Sequence, residues 1–499
     1  MTKRSLVLIT VDCLRADHVG VQRYSQSVTP FLDSLAKNSV VFSDAIVAGA
    51  PTYFSFPAIL ASRYPLGLGR DILGIAPNEP TIATALRDAG YRTAAFIAGN
   101  PYLSSRFGYH HGFDEFHDLL DATPYGESQG VIQANKGLSN LNRRLEAASR
   151  FTLLTASLYN EVYFRYCQWR SARQGLSLDQ LRRYPAAHVV IDQACSWLSE
   201  LRDGHVFLWV HLMDPHHPYY PPLEAQSELG ASHVSARRAR FLNAFWDRGD
   251  IAVKRLRRHR EEILSLYDAG VYWVDKQISR LVDFLRQSNR WDETVLAVTA
   301  DHGEEFLENG NRYHSPTSLS EQLIHVPLII RTPESSGVRI SQSAFSLVHL
   351  APTLLEAVGT AIPESFQGQS RWKQVVTGNP QAEPAIAECI EGCTNPDQVE
   401  NRIRPRLLAI RDRQYKLVIR FSDRTDFLYD LENDPGEQSP LPTGVLTGER
   451  VRLLQAALAH LERTRRNRSA DLALRARLCE LRHSLGSKRE PTAPALVSE

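Results

Sequence analysis

Four largely apolar runs stand out along the chain and predict strands that are buried on both faces. They occupy residues 6–11, 206–210, 294–299 and 325–330. The chain between them carries a further strand pattern at 93–98 and helical patterns at 81–89 and 264–287. Strands that alternate with helices predict an α/β fold, in which a mainly parallel sheet is covered by helices on both faces.

The pattern changes after about residue 380, where we expect a smaller subdomain. Paired strands are predicted at 406–411 and 415–421, a segment ending in an Asn-Asp-Pro-Gly turn at 427–434, and an Arg-rich helix at 449–485. The predicted division is a main domain at 1–380, a C-terminal subdomain at 381–487 and a disordered tail at 488–499. Residues 119–200 of the main domain are predicted to form a helical insertion near the substrate entrance.

Composition excludes several functional classes. The 499 residues include 57 Lys and Arg against 56 Asp and Glu, and a net charge of +1 argues against a nucleic-acid partner. Six cysteines without a Cys-x-x-Cys pair argue against a disulfide scaffold or a zinc ribbon. The first apolar run leads into Asp12 without a small-residue cleavage site, and no run reaches the roughly 20 residues of a membrane span. We therefore expect no integral membrane anchor and a cytoplasmic location.

Candidate metal ligands follow two of the buried strands. Asp12 comes directly after the first run, and Asp301 and His302 come directly after the third. Ligand sites of open α/β sheets lie beyond the carboxyl ends of the strands, so these side chains could converge on one divalent cation. The alternative is that each residue is a helix cap or a salt-bridge partner. Cys13 adjoins Asp12 and could be a neighbour of the metal, but a buried structural thiol is the favoured expectation.

A hydroxyl pair precedes the apolar segment 57–62. Thr52 and Ser55 lie where the backbone N–H groups of a helix start would face an anion, such as a phosphate or a sulfate. A cation nearby would make the Thr52 hydroxyl a nucleophile. This segment alone favours a simpler role for both residues as helix N-caps.

Histidines cluster after the second run. His211, His216 and His217 share one segment with Asp214, and His314 follows a turn-rich segment at 308–312. Histidines beside a metal site can protonate a leaving group or hold anionic oxygens. Packed or surface histidines are the alternative.

Taken in order, these motifs resemble the sulfatase branch of the alkaline phosphatase superfamily, from residue 6 to about residue 485. The most specific segments are Asp12-Cys-Leu-Arg-Ala-Asp17, Ile59-Leu-Ala-Ser-Arg-Tyr-Pro65, Asp301-His-Gly-Glu304 and Tyr429-Asp-Leu-Glu-Asn-Asp-Pro-Gly-Glu437. The resemblance implies the α/β sandwich of that superfamily, with a mainly parallel sheet and a smaller C-terminal subdomain.

The chain departs from sulfatases that form formylglycine from a Cys or Ser in a Cys/Ser-x-Pro-x-Arg segment. Thr52 stands at the formylglycine position, with Phe54 and Phe56 at the Pro and Arg positions. Cys13 replaces the second Asp of an Asp-Asp pair, and Asn100 replaces a Lys. The Thr-x-x-Ser-x-Pro segment is similar to the nucleophile segment of phosphoethanolamine transferases. The Asp-x-x-Arg-x-Asp start is shared with phosphonate monoester and phosphodiester hydrolases.

The resemblance implies roles for nine residues. Asp12, Asp301, His302 and Thr52 would bind one divalent cation, for which Zn²⁺ or Mn²⁺ is expected and Ca²⁺ or Mg²⁺ are alternatives. Thr52, His216 and His314 would be catalytic. Ser55, Asn100 and His211 would bind substrate.

We therefore predict a metal-dependent hydrolase or transferase that acts on a phosphodiester or phosphonate monoester through a covalent threonine intermediate. Two alternatives stay open: a sulfate-ester hydrolase without formylglycine, and a non-catalytic binding protein. The expected partner is a small-molecule, glycan-derived or lipid-derived ester. A homo-oligomer formed through the C-terminal region is also considered.

Overall fold

A computed structural model describes residues 3–22, 28–122, 144–173, 175–201, 203–230, 233–335, 337–340, 344–377, 379 and 383–466. The strands are β1 (Ser5–Val11), β2 (Val40–Ile46), β3 (Arg92–Ile97), β4 (Glu115–His117), β5 (Val206–Leu212), β6 (Thr294–Ala300), β7 (Glu305–Phe306), β8 (Arg312–Tyr313), β9 (His325–Arg331), β10 (Val338–Ile340), β11 (Phe345–Ser346), β12 (Ala385–Ile390), β13 (Arg406–Arg411), β14 (Tyr415–Arg420) and β15 (Thr425–Asp430). The α-helices are α1 (Pro30–Ala36), α2 (Thr52–Ala61), α3 (Ile82–Asp88), α4 (Leu153–Ala172), α5 (Leu178–Leu181), α6 (Ala187–Glu200), α7 (Leu223–Glu228), α8 (Ala236–Trp246), α9 (Val253–Leu256), α10 (Arg260–Gln287), α11 (Glu321–Ile324), α12 (Leu350–Ala357), α13 (Trp372–Thr377), α14 (Val399–Arg402) and α15 (Thr447–Arg466).

The central sheet has the strand order β10-β2-β9-β6-β1-β5-β3-β4, with β11 also paired to β2. Strand β1 is parallel to its neighbours β5 and β6, and β3 is parallel to β4 and β5. The exception is β9, which is antiparallel to both β2 and β6. The predicted mainly parallel sheet is therefore confirmed. The composition of residues 325–330 predicts a strand but does not indicate whether that strand is parallel or antiparallel to its neighbours.

The inner strands are apolar at nearly every position because helices cover the sheet. All seven residues of β1, β5 and β6 are buried. In one group of helices, α10 packs against α1, α6, α7 and α8, and α6 also packs on β3 and β5. A second group joins α2 to α3 and α12, and α3 packs on β3. This arrangement confirms the sandwich predicted from continuous apolar runs.

The C-terminal part forms the predicted small sheet. Strands β12, β13, β14 and β15 pair antiparallel in chain order, and α15 packs on β13 and β14. Their shared core contains Ile386, Leu408, Leu417, Leu428 and Leu453. Only the first part of the predicted helix at 449–485 is described, and the predicted tail at 488–499 lies outside the described residues.

The predicted insertion at 119–200 is helical wherever the structure describes it between residues 144 and 200, apart from short connections. It contains α4, α5 and α6, whereas residues 123–143 lie outside the described residues. The last of these helices, α6, belongs to the layer on the sheet through α10 and β5. Across the described part of the chain, no helix combines the length and the apolar character that crossing a bilayer requires.

Candidate active site at the carboxyl edge of the central sheet

Three parallel strands end side by side and bring the residues that follow them to one edge of the sheet. Val11 of β1 is in register with Leu212 of β5 and with Ala300 of β6. Asp12 and Asp301 therefore leave neighbouring strands at the same height, which is where open α/β sheets hold their ligands. The register explains how residues far apart in sequence form one cluster.

The four residues expected to hold a cation lie together and away from solvent. Thr52 is the first residue of α2, and its Oγ1 is 3.1 Å from Nε2 of His302. The same Nε2 lies 3.6 Å from Oδ1 of Asp12 and 3.6 Å from Oδ2 of Asp301. Thr52 is 4% exposed, and the other three are fully buried. The structure brings all four together, and their role as ligands stays a prediction.

Unpartnered polar atoms in this cluster test whether a cation fits. Oδ2 of Asp301 is buried without a hydrogen-bond partner among the described residues, and Nε2 of His211 lies 3.4 Å from Oδ2 of Asp12. Ligand-type atoms of Asp12, His211 and Asp301 lie within 4.8 Å of one another, as do those of Asp12, Cys13 and His302. Leaving buried polar atoms unpartnered is costly, so this set of carboxylate, imidazole and thiol donors fits a divalent cation.

The two carboxyl groups of the cluster have opposite proton affinities. Burial raises the pKa of Asp12, but the surrounding imidazoles of His216, His211 and His302 outweigh burial and hold this pKa well below its ordinary value. Burial and the nearby Asp12 charge raise the pKa of Asp301 to about 7. Two carboxylates this close resist ionising together. A bound cation would supply the positive charge that lets both ionise.

An ion pair between a buried carboxylate and a partly exposed imidazole lies beside the cluster. The rings of His216 and His314 are 4.9 Å apart, and the His314 ring is 4.7 Å from that of His302. His314 Nδ1 is 2.7 Å from Oε2 of Glu304, whose Oε1 accepts a 2.6 Å hydrogen bond from the hydroxyl of Tyr219. Burial opposes ionisation, but the Glu304 charge raises the pKa of His314 to about 9. Burial also opposes the Glu304 charge, yet His314 lowers the pKa of Glu304 to about 2. His314 is therefore cationic at neutral pH.

The three residues expected to bind substrate are deeply placed. Asn100 donates a 2.9 Å hydrogen bond from Nδ2 to Oδ2 of Asp12. His211 Nδ1 lies 2.9 Å from Oγ1 of Thr10 on β1. The Ser55 hydroxyl is fully buried in α2 and has no hydrogen-bond partner among the described residues. All three border the cluster or its helix, and direct contact with substrate stays a prediction.

Two polar residues of the histidine segment point to structural partners instead. Asp214 Oδ1 is 3.1 Å from Nη1 of Arg182, and its Oδ2 accepts a 2.8 Å hydrogen bond from the backbone N–H of Ala187 at the start of α6. His217 Nε2 is 3.2 Å from Oδ1 of Asp247. The packing alternative considered for this segment therefore fits these two residues, and a catalytic role for His216 stays a prediction.

Two participants were not assigned a role from the sequence. Cys13 adopts φ +61°, and its Sγ lies 3.2 Å from Asp12 Oδ1 and 3.4 Å from His314 Nδ1. Burial and the Glu304 charge raise the pKa of this thiol well above its ordinary value. The thiol is buried as expected, and its sulfur faces the donor cluster, as the alternative of a metal neighbour would require. In the sequence, Glu304 is the last residue of the Asp-His-Gly-Glu motif, and no separate role was predicted for it.

The fold and the site define an alkaline phosphatase-like enzyme scaffold. The solved phosphonate monoester hydrolase of Agrobacterium radiobacter aligns with a TM-score of 0.61 at 18% identity, covering 93% of this chain and 96% of that one. A protein solved in complex with its substrate D-glucosamine-2-N,6-O-disulfate aligns with a TM-score of 0.64 at 16% identity, covering 93% and 99%. At such identities the likeness establishes the fold.

Family models place the chain more narrowly. The Sulfatase model matches residues 4–360, and the model of the N-sulphoglucosamine sulphohydrolase C-terminal region matches residues 312–464. The chain therefore belongs to the sulfatase family, whose members are metal-dependent hydrolases. The predicted sulfatase-like enzyme class is confirmed at this level.

Curated proteins that are similar to the chain are named as sulfatases or as an alkaline phosphatase superfamily protein. The N-acetylglucosamine-6-O-sulfatase of Bacteroides thetaiotaomicron is 29% identical over 201 residues, which are 39% of this chain and 35% of that protein. Arylsulfatase K of Canis lupus familiaris is 26% identical over 194 residues, covering 37% and 34%. The chain thus matches about a third of the length of these two relatives. The multifunctional alkaline phosphatase superfamily protein PehA of Trinickia caryophylli is 24% identical over 527 residues, covering 93% and 97%.

Proposed function

We propose that this protein cleaves a phosphodiester or phosphonate monoester by transferring the phosphoryl or phosphonyl group to Thr52. The observation that carries the proposal is the position of the Thr52 hydroxyl, which lies at the first residue of a buried helix and 3.1 Å from His302 Nε2. The family's nucleophile position thus holds a hydroxyl beside the donor cluster, and no conversion to formylglycine is needed.

His302 is oriented to act on that hydroxyl. Its Nδ1 lies 2.9 Å from the carbonyl oxygen of Gly303, and a carbonyl can only accept, so Nδ1 carries the proton. Nε2 then presents a lone pair towards Thr52. This lone pair would bind the cation, and the Thr52 hydroxyl would lose its proton to water before it attacks, which a cation nearby favours.

Asp12, Asp301 and His302 would hold that cation, with Cys13 and His211 bordering it. When bound, the cation supplies positive charge that stabilises the ester oxygens as negative charge develops on them. Zn²⁺ or Mn²⁺ suits a donor set containing nitrogen and sulfur better than Ca²⁺ does.

His314 would assist departure of the leaving group. The Glu304 charge keeps this imidazole protonated, so it can give a proton to the leaving oxygen or hold an anionic oxygen of the ester. The P–O bond to the leaving group breaks as the bond from Thr52 Oγ1 to phosphorus forms. In the second step the neutral His314 takes a proton from water, or from an acceptor alcohol, as that oxygen attacks phosphorus. The bond from phosphorus to Thr52 Oγ1 breaks, which restores both Thr52 and His314 for the next cycle.

Matched aryl esters test the reaction directly. We would compare a phosphodiester, a phosphonate monoester, a phosphate monoester and a sulfate with Zn²⁺ or Mn²⁺ present. Thr52→Ala should abolish turnover, and Thr52→Ser should keep part of it because a hydroxyl remains. Thr377→Ala, an exposed threonine in α13, is the control. Acid quenching during turnover should trap the substituted phosphoryl or phosphonyl group of the substrate on the Thr52 peptide, and full activity of Thr52→Ala would sink the proposal.

Sulfate-ester hydrolysis is the second candidate because the matched relatives are named as sulfatases. The structure offers a reason to rank it second. Phe56 stands where formylglycine sulfatases carry an arginine, and its fully buried ring lies 5.5 Å from Trp209 and 5.2 Å from His211. An aromatic ring supplies no positive charge to a sulfate. Dominant turnover of the aryl sulfate would reverse this ranking.

Three finer predictions belong to the same proposal. An alcohol acceptor added to the assay distinguishes transfer from hydrolysis, because transfer would yield a new ester. Cell fractionation tests the cytoplasmic location. Sedimentation of the full chain tests self-association through the C-terminal region.

A further inference from the structure

The solvent face of α4 is apolar, although the helix lies on the protein surface. Phe164 on its inner face packs against Phe241 and Phe245 of α8, with ring centroids 5.8 and 6.0 Å apart. Five apolar or aromatic residues at helical spacing face outward, with exposures between 42% and 81%. They are Leu154, Leu158, Val162, Tyr166 and Trp169. Their spacing of three or four residues places them in one stripe along the helix.

A basic cavity adjoins this stripe. It has a volume of about 360 Å³ and lies between α4 and α8. Four arginines line it, together with aromatic rings and two small polar groups, and no acidic residue is among its described lining. The lining residues are Phe164, Arg165, Gln168, Trp169, Ser235, Arg237, Arg238, Arg240 and Phe241.

Further positive charge borders the same helix. Arg255 Nη2 lies 3.5 Å from Oε2 of Glu161 on α4, which places the basic stretch 254–260 alongside. That stretch contains Lys254 and four arginines and no acidic residue. Residues 233–262 carry nine Lys and Arg against four Asp and Glu, whereas the whole chain has a net charge of only +1. Glu262 pairs with Arg238, and Glu161 pairs with Arg165 and Arg255, so the positive charge that remains on this face is an excess over its acidic groups.

We propose that this face docks on an anionic phospholipid bilayer. The α4 stripe would lie in the plane of the membrane and enter the headgroup region, as interfacial amphipathic helices do. Tyr and Trp side chains prefer that depth, and the surrounding arginines would pair with lipid phosphates. The cavity would take one phosphate-bearing headgroup. A second copy of the chain is disfavoured as the occupant, because two such faces would bring like charges together.

Helix α8 connects this face to the candidate active site. Its first half lines the cavity through Arg237 and Phe241, whereas Asn243 in its second half binds the backbone N–H of Tyr219 at 2.8 Å. Tyr219 in turn donates to Glu304. A bilayer bound at the α4 face would therefore lie along the same helix that supports the site.

Vesicle co-sedimentation of the full chain tests the proposal without any substrate, so its outcome is independent of the proposed function. The wild-type protein should pellet with phosphatidylglycerol-containing vesicles, weakly with phosphatidylcholine vesicles, and less as salt is raised. The double variant Leu158→Glu/Val162→Glu should lose at least tenfold in partitioning, because two apolar contacts become charges. Arg237→Gln should lose roughly fivefold.

Matched controls separate docking from folding. Ile403→Glu changes a residue that is 71% exposed in the C-terminal part, and Lys373→Gln removes an exposed charge on α13. Both should bind vesicles like the wild type, and all variants should keep turnover of a soluble aryl ester. The proposal would be overturned if the wild type did not bind vesicles or if the double variant bound them equally well. It would also be overturned if the wild type formed a dimer that the double variant, and no other variant, dissociated.

Discussion

Replacing Glu304 by Gln tests whether one carboxylate sets the charge of the candidate general acid. The change keeps the shape of the side chain, and the amide oxygen can still accept from the Tyr219 hydroxyl. It removes the negative charge 2.7 Å from His314 Nδ1. The His314 pKa of about 9, against an ordinary 6.5, corresponds to about 3 kcal/mol at about 1.36 kcal/mol per pKa unit.

The Glu304 pKa describes the same interaction from the other side. It is about 2 in place of 4.5, which again corresponds to about 3 kcal/mol, so the two values are not added. Because the pKa of His314 is raised, the ion pair stabilises the fold fully below pH 6.5, and this stabilisation is lost as the pH rises through about 9. Because the pKa of Glu304 is lowered, the same stabilisation is complete above pH 4.5 and is lost as the pH falls through about 2. The variant should therefore be most destabilised at about pH 5.5.

Urea unfolding with a chelator present measures this difference, and Glu305→Gln is the matched control. Glu305 is the adjacent fully buried carboxyl, but burial raises its pKa to about 7 and it has no cationic partner among its described contacts. Glu304→Gln should cost about 3 kcal/mol at about pH 5.5 and much less at about pH 10. Glu305→Gln should become relatively stabilising as pH rises from 4.5 to 7. A cost for Glu304→Gln that does not vary with pH would refute the reasoning.

The alkaline limb of the pH–rate profile gives a second readout. If His314 must be protonated, activity should fall as pH rises through about 9 in the wild type. In Glu304→Gln the fall should begin at least one pH unit lower, since the charge that raises the His314 pKa is gone. An unchanged limb would mean that another group controls it.

Three further predictions concern the metal, acid stability and packing. Cys13→Asp should favour Ca²⁺ or Mg²⁺ over Zn²⁺ in metal titrations, with Zn²⁺ affinity falling roughly 10–100-fold, and unchanged selectivity would place the thiol outside the metal's ligands. Burial and the nearby Arg371 charge lower the pKa of His349 to about 3, so the wild type should lose stability as the pH falls below 6.5. The variant His349→Gln has no group to protonate there, so it should lack about 2 kcal/mol of that loss at about pH 5, as measured by urea unfolding. A Cβ at Gly303 would lie 1.9 Å from a backbone oxygen, so Gly303→Ala should cost about 1–3 kcal/mol or more in urea unfolding, whereas Gly249→Ala, with open space around it, should cost little.

The strand ends were accessible from sequence because each buried strand leaves a local signal. An apolar run followed at once by a polar residue marks Asp12 and Asp301 without any knowledge of the partner strands. Motif order supplied Thr52, since a nucleophile position is recognised by its neighbours in sequence. These signals suffice to predict the α/β class and the first residues of the candidate site.

Other features depend on pairings between distant segments. The antiparallel direction of β9 depends on which strands flank it, and its apolar composition is the same in either direction. The ion pair of Glu304 and His314 exists because the turn of β7 and β8 folds back towards the sheet edge. Neither residue's charge state follows from its neighbours in the chain.

By itself, then, the sequence determined the fold class, the family and the residues at the strand ends, because periodicity and motif order are properties of the chain. Only the tertiary structure decided which side chains share one buried space. It turned Asp214 towards Arg182, brought Cys13 to face His314, and left apolar residues of α4 facing solvent. Each of these outcomes depends on contacts between distant segments, and burial then sets the proton affinities that local sequence does not carry.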